Sequence, residues 1–267
     1  MGLNHIEKHN NNKKAPHVLV SVLLLAIVLF TGYQMITARI SEKRAEAEYE
    51  ELAIKAGGIL KTEATEAVDN QEEKIYPDLD IDIEALLEIN SDFIGWLYFP
   101  ALEISYPVVQ GEDNDYYLKR SFEESRLNAG CIFMDYAAAA DWSDRNTFVF
   151  GHNMRDGSMF GSFKYLIKEP SLYVEEPWFY IYTADMVYTY EIFSCYKTKA
   201  SSDRYMTFTT DASYDDYVKW ALENSECESD ADLSDKKNIV SLSTCYGTAG
   251  GSTRILIHGV LTAEDTY

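Results

Sequence analysis

Cysteine and histidine are both scarce in this chain, four and five among 267 residues. The cysteines are Cys131, Cys195, Cys227 and Cys245, with no C-x-x-C pair and no histidine at ligand spacing. That argues against zinc, and neither a metal nor an organic cofactor is expected. One disulfide or none is expected, and a thiol left free at an oxidising exterior is one retained for use. Basic residues are also in short supply: 23 Lys and Arg face 44 Asp and Glu, a formal charge of −21. So acidic a chain repels phosphate backbones, and no nucleic-acid partner is expected. Over a screening length of ~10 Å the same charge says little about a buried site. No internal repeat is visible.

Near the N-terminus all charge is missing. A polar stretch, 1–17, gives way to an apolar run, 18–38, that reaches Arg39 without a charged residue. About 21 residues at ~1.5 Å each span a hydrocarbon layer of ~30 Å. A cleaved signal peptide is the competing reading, but Ile36-Thr37-Ala38 is a poor cleavage site. The expectation is an uncleaved, single-pass anchor. Lysines before it and Arg39, Lys43 and Arg44 after it are nearly balanced, so the short tail decides the orientation: N-terminus inside, the large domain outside. Residues 39–80 read as stalk and linker, Ala/Glu/Lys-rich to 56 and then acidic after Gly57-Gly58, and 81–267 as the folded domain.

Residues 83–89 read as a short amphipathic helix with Leu86 and Leu87 inward. Beyond it, short alternating or apolar runs at 95–99, 104–109, 131–134, 147–150, 179–182, 187–196, 239–243 and 254–261 predict eight strands. Such a set closes into a barrel or packs as a sandwich. Helices are predicted at 161–167 and 214–224, the latter from Tyr217, Val218, Ala221 and Leu222.

Chemistry-bearing residues cluster at strand ends. Cys245 ends an apolar strand before the glycine-rich turn 246–251, held by a rigid element yet open to a substrate; an inert core cysteine is the alternative. Arg254 opens the next strand. If the turn returns the chain antiparallel, Arg254 faces Cys245, where a guanidinium can lower a thiol pKa and stabilise an oxyanion. His152 follows the run Thr147-Phe148-Val149-Phe150 and suits acid–base work. His258 is its rival, but it sits about 13 Å along the strand from Arg254 at ~3.3 Å per residue. The remaining histidines, His5, His9 and His17, precede the anchor and cannot reach an external site. Cys131 reads as a core residue, and the carboxylates flanking Cys227 are expected to raise its pKa.

Taken together, several motifs resemble the class B sortases of Gram-positive cell surfaces. They are Asp92-Phe93-Ile94-Gly95-Trp96, Tyr106-Pro107-Val108-Val109-Gln110, Asp113-Asn114 with Tyr117-Leu118, Ile132-Phe133-Met134-Asp135, Gly151-His152-Asn153-Met154, Leu242-Ser243-Thr244-Cys245, and Arg254. The resemblance runs over about 90–261 and departs mildly at Ser241, where Thr is usual, and at Cys131, where a small residue is usual. It implies an eight-stranded sortase-type β-barrel with N-terminal helices and an added helix before the cysteine strand. It also implies Cys245, His152 and Arg254 as catalytic residues, and Asn114, Leu118 and Ser243 as holding the substrate peptide. The implied reaction cleaves a C-terminal sorting signal of secreted proteins after Thr, through a thioacyl enzyme. The acyl group then passes to the amine of a lipid-linked cell-wall precursor. A membrane-tethered cysteine endopeptidase using water, or a non-enzymatic β-barrel binding module, would share much of this sequence.

Overall fold

The first element is a long helix, α1 (Ala15–Lys55), in a computed structural model that describes residues 15–57, 76–169, 171–245 and 251–266, with Cys245 described by its backbone. From His17 onward α1 is long and apolar enough to cross a membrane, and its apolar residues up to Ile36 are exposed. Residues 1–43 and 44–267 form separate compact units. The second unit therefore begins inside the stretch expected as a stalk. The reason is a stripe: Ala45, Tyr49, Leu52 and Ala56 recur at helical spacing and are buried in the same core as the strands. Tyr49 donates from its hydroxyl to the Gly130 carbonyl at 2.7 Å and meets Tyr106 edge-on at 5.4 Å. The expected linker at 58–75 lies outside the described residues.

Asp82 caps α2 (Ile83–Ile89) by accepting from the Ala85 N–H. Leu86 is buried as expected, but Leu87 is exposed, since Ile83 and Leu86 already define the inward face of so short a helix.

Eight strands follow: β1 (Phe93–Phe99), β2 (Ile104–Val109), β3 (Ile132–Met134), β4 (Asn146–Phe150), β5 (Trp178–Tyr182), β6 (Met186–Lys199), β7 (Ile239–Cys245) and β8 (Thr253–Thr266). They close into a barrel in the order β1-β2-β3-β4-β7-β8-β6-β5, with β5 paired back to β1. The pairs β2–β3 and β4–β7 are parallel and the rest antiparallel. Cys131 falls just before β3 rather than within it. Strands β6 and β8 run well past their expected ends because they pair with each other, from Met186 opposite Thr266 to Lys199 opposite Thr253. Helix α3 (Phe163–Lys168) stands where one was expected, and α4 (Ser171–Glu175) was not foreseen.

Helix α5 (Asp211–Glu223) starts earlier than its apolar pattern suggests, because Thr210 and Ser213 form a reciprocal cap at its N-terminus. Its buried positions, Tyr214, Tyr217, Val218 and Ala221, are spaced i, i+3, i+4, i+7 and cover one face of the sheet. Alternation along the strands then makes two cores. Val149, Val240, Leu242, Ile255 and Ile257 point into one, while Phe148, Ile239, Leu256 and Val260 pack with α5 in the other. Burial on both faces explains why β7 and β8 read as nearly unbroken apolar runs.

Candidate active site

Strand register brings the chemistry to one end of the barrel. Parallel β4 and β7 set Phe150 opposite Ser243, and antiparallel β7 and β8 set Cys245 opposite Arg254. Past the end of β4 the two strands stay tied: the Gly151 N–H donates to Ser243 O at 3.2 Å, and Thr244 Oγ1 donates to Gly151 O at 2.7 Å. His152 and Cys245 each follow directly on this clasp. Position 151 has no room for a side chain, since a Cβ would lie 2.5 Å from Ile132 Cδ1 and 2.7 Å from the Phe160 ring.

The His152 ring bonds the Leu118 carbonyl through Nε2 at 2.7 Å. A carbonyl only accepts, so Nε2 carries the proton and Nδ1 is left for proton transfer. Leu118 is presented by a 3₁₀ turn, Tyr116–Lys119. Its backbone thus orients the histidine. Arg254 donates through Nη1 to the carbonyls of Gly251 and Thr253, the latter at 3.1 Å, which fixes the guanidinium plane on its own turn. Ser243 is buried, and its Oγ shares a hydrogen bond with the Tyr205 hydroxyl at 2.8 Å. Asn114 spans the exit of β3, donating to Asp135 Oδ1 at 3.3 Å and accepting from the Tyr136 N–H at 3.0 Å.

Asn114, Leu118, His152, Ser243 and Arg254 line one cavity of about 290 Å³, closed by Phe133, Phe150, Ala200, Tyr205 and Thr244. The structure thus gathers five of the six residues singled out in the sequence, and the sixth, Cys245, is the register partner of one of them. A larger open hollow of about 1020 Å³ beside Glu103, Asp156 and Glu169 holds none of them. Size alone would favour that hollow, whereas convergent polar groups within apolar walls favour the smaller cavity. Tyr205 escaped the sequence reading, because it lies in an irregular stretch with no periodicity to place it.

The other thiols and the rival histidine are elsewhere. Cys131, Cys195 and Cys227 are buried, and burial pushes Cys131 up to about 12. The expectation for Cys227 is corrected: its thiol is held below the usual range, chiefly by Cys195 beside it, against burial and the charge of Glu226, which both raise it. Among the described residues no three His, Cys, Asp or Glu side chains are gathered as a metal would need.

His258 is fully buried under α5, opposite Ser241 on β7. Ser241 Oγ donates to Asn146 Oδ1 at 2.7 Å, so His258 Nδ1–H donates to Ser241 at 2.7 Å and Nε2 accepts from the Tyr196 hydroxyl at 2.9 Å. This is a satisfied neutral imidazole, lowered to about 3 by burial. The unfolded chain takes up a proton near pH ~6.5 that the folded chain refuses until about pH 3, so this residue's contribution to stability falls as pH drops through that window. The full loss is roughly 5 kcal/mol, a slope of about 1.4 kcal/mol per pH unit. Urea unfolding from pH 7 to pH 4 should show that slope reduced by this amount in His258→Gln; identical slopes in the two proteins would rule out a neutral buried histidine.

Comparisons with known proteins fit this geometry. The family model described as Sortase domain matches residues 97–262. A sortase B of Listeria monocytogenes is 37% identical over 168 residues, 61% of this chain and 67% of that protein. A sortase B of Staphylococcus aureus is 28% identical over 240 residues, 90% of this chain and 93% of that one. The crystal structure of sortase B from Bacillus anthracis in complex with AAEK1 superposes with a TM-score of 0.67 at 30% identity, covering 83% of this chain and 98% of that one. With a closed eight-stranded barrel and motif residues converging on one cavity, the chain belongs to the sortase family as a sortase B-type enzyme.

Proposed function

We propose that this enzyme is a membrane-anchored transpeptidase with Cys245 as nucleophile, His152 as general acid and base, and Arg254 as oxyanion partner. The observation that carries the reading is the cavity at the β4–β7–β8 end, where His152, Ser243 and Arg254 converge beside the register position of Cys245. His152 Nδ1 first takes the proton of the Cys245 thiol, and the thiolate so formed attacks the carbonyl that follows the threonine of a sorting signal. The new oxyanion is stabilised by Arg254, and His152 delivers a proton from Nδ1 to the departing amine. A thioester remains on Cys245. The amine of a lipid-linked cell-wall precursor then attacks it, His152 Nδ1 takes the amine's proton and returns it to the expelled Cys245 thiolate, and the secreted protein leaves joined to that amine. General acid catalysis supplies about 10² to 10⁴ in rate and an oxyanion donor about 3 kcal/mol.

Asn114, Leu118 and Ser243 hold the peptide in this scheme, with Tyr205 as the far wall. Residues 18–38 are the anchor, with 1–17 on the cytoplasmic side and the barrel outside. The exposed apolar residues of α1 support the anchor.

The test is a panel of quenched sorting-signal peptides given to the full chain in detergent, with and without an added amine. The expected result is cleavage after Thr and, with amine present, a product carrying that amine. Release to water alone would make the enzyme an endopeptidase, and no cleavage of any peptide by folded protein would sink the proposal.

A further inference from the structure

Cys195 and Cys227 take no part in this chemistry, yet the fold sets them side by side. Cys195 lies on β6, fully buried, and Cys227 follows α5. Their backbones are stitched together at Ser225 and Glu226. The Glu226 N–H donates to Cys195 O at 2.7 Å and the Cys195 N–H to Ser225 Oγ at 3.1 Å. Ser225 Oγ in turn donates to Cys227 O at 2.8 Å and accepts from the Cys227 N–H at 3.1 Å. Both thiols are buried in the same core.

We propose that Cys195 and Cys227 are a disulfide-forming pair that closes the excursion 196–226 onto the barrel. Two buried thiols whose backbone N–H groups share the Ser225 hydroxyl leave only a short span for a disulfide to bridge. The charge distribution favours the reaction. Cys195 beside it holds the Cys227 thiol below the usual range, while Cys227 and burial push Cys195 well above it. Thiolate at Cys227, the less buried of the two, attacks one sulfur of a small disulfide oxidant such as oxidised glutathione and expels one glutathione thiolate. Cys195 then loses its proton and attacks the Cys227 sulfur of the mixed disulfide, expelling the second. The protein gives up two electrons and two protons, and the oxidant leaves as two thiols.

The closed segment carries α5 and Tyr205, so the crosslink ties both ends of the stretch that walls the cavity. It also leaves Cys245 free of a competing thiol pair.

The experiment is a disulfide map of the full chain in detergent, refolded with oxidised glutathione, alkylated under denaturing conditions and digested without reduction. A linked peptide containing Cys195 and Cys227 is expected, with Cys131 and Cys245 outside it. The oxidised protein should melt about 10 °C above the reduced one, as closing a loop of about 30 residues implies, and Cys195→Ala should abolish that difference. Cys195 and Cys227 both recovered alkylated from folded, oxidant-treated protein would overturn the proposal, as would a disulfide joining either one to another partner. The map is read on the unmutated chain and does not depend on peptide cleavage, so it stands or falls apart from the transpeptidase reading.

Discussion

Cys245→Ala is expected to lower cleavage of a sorting-signal peptide by about 10⁴-fold or more, the order that follows removal of a covalent nucleophile. The effect should be this large because no other thiol can substitute. Cys131 is buried and pushed up to about 12, and Cys195 and Cys227 are buried and do not line the cavity. Only Cys245 ends a strand at the point where His152 and Arg254 converge. The same separation predicts that a thiol-alkylating reagent modifies Cys245 in native protein and that cleavage decays in step with that modification. Steady-state cleavage of wild type and variant, with circular dichroism to verify the fold, is the measurement. A variant retaining a tenth of the wild-type rate would place the nucleophile elsewhere.

Much of the barrel was legible because its signals are local. Period-2 alternation and turn residues located every strand, and the glycine-rich turn after Cys245 implied the antiparallel return that pairs it with Arg254. What escaped depends on contacts distant in sequence. The stripe Ala45, Tyr49, Leu52 and Ala56 looked like part of a charged stalk, since only its burial against the barrel gives those four residues a common face. Tyr205 reaches Ser243 across 38 positions from a segment without regular structure. The His152 ring is oriented by a backbone carbonyl, and a carbonyl leaves no trace in residue identity. The approach of Cys195 to Cys227 likewise needs α5 folded onto the sheet.

Arg254→Ala is expected to reduce kcat by about 10² to 10³-fold with a much smaller change in KM, because an oxyanion partner acts in the transition state and little in the ground state. Arg254→Lys should recover only a small part of this. The guanidinium is held through Nη1 by the carbonyls of Gly251 and Thr253, which orients a planar group beside the register position of Cys245. A lysine has one nitrogen to satisfy those carbonyls and to meet the oxyanion, and it cannot do both from a fixed position. The rate of Cys245 alkylation against pH separates the two ways in which the arginine could act. An unchanged profile with a slowed acylation step assigns Arg254 to the oxyanion. A profile displaced to higher pH in Arg254→Ala assigns it instead to lowering the thiol pKa, and the rate lost at fixed pH should then be partly regained in more alkaline buffer. A kcat within threefold of wild type in Arg254→Ala would remove the arginine from the mechanism altogether and leave its hydrogen bonds to the 251–253 turn as its whole role.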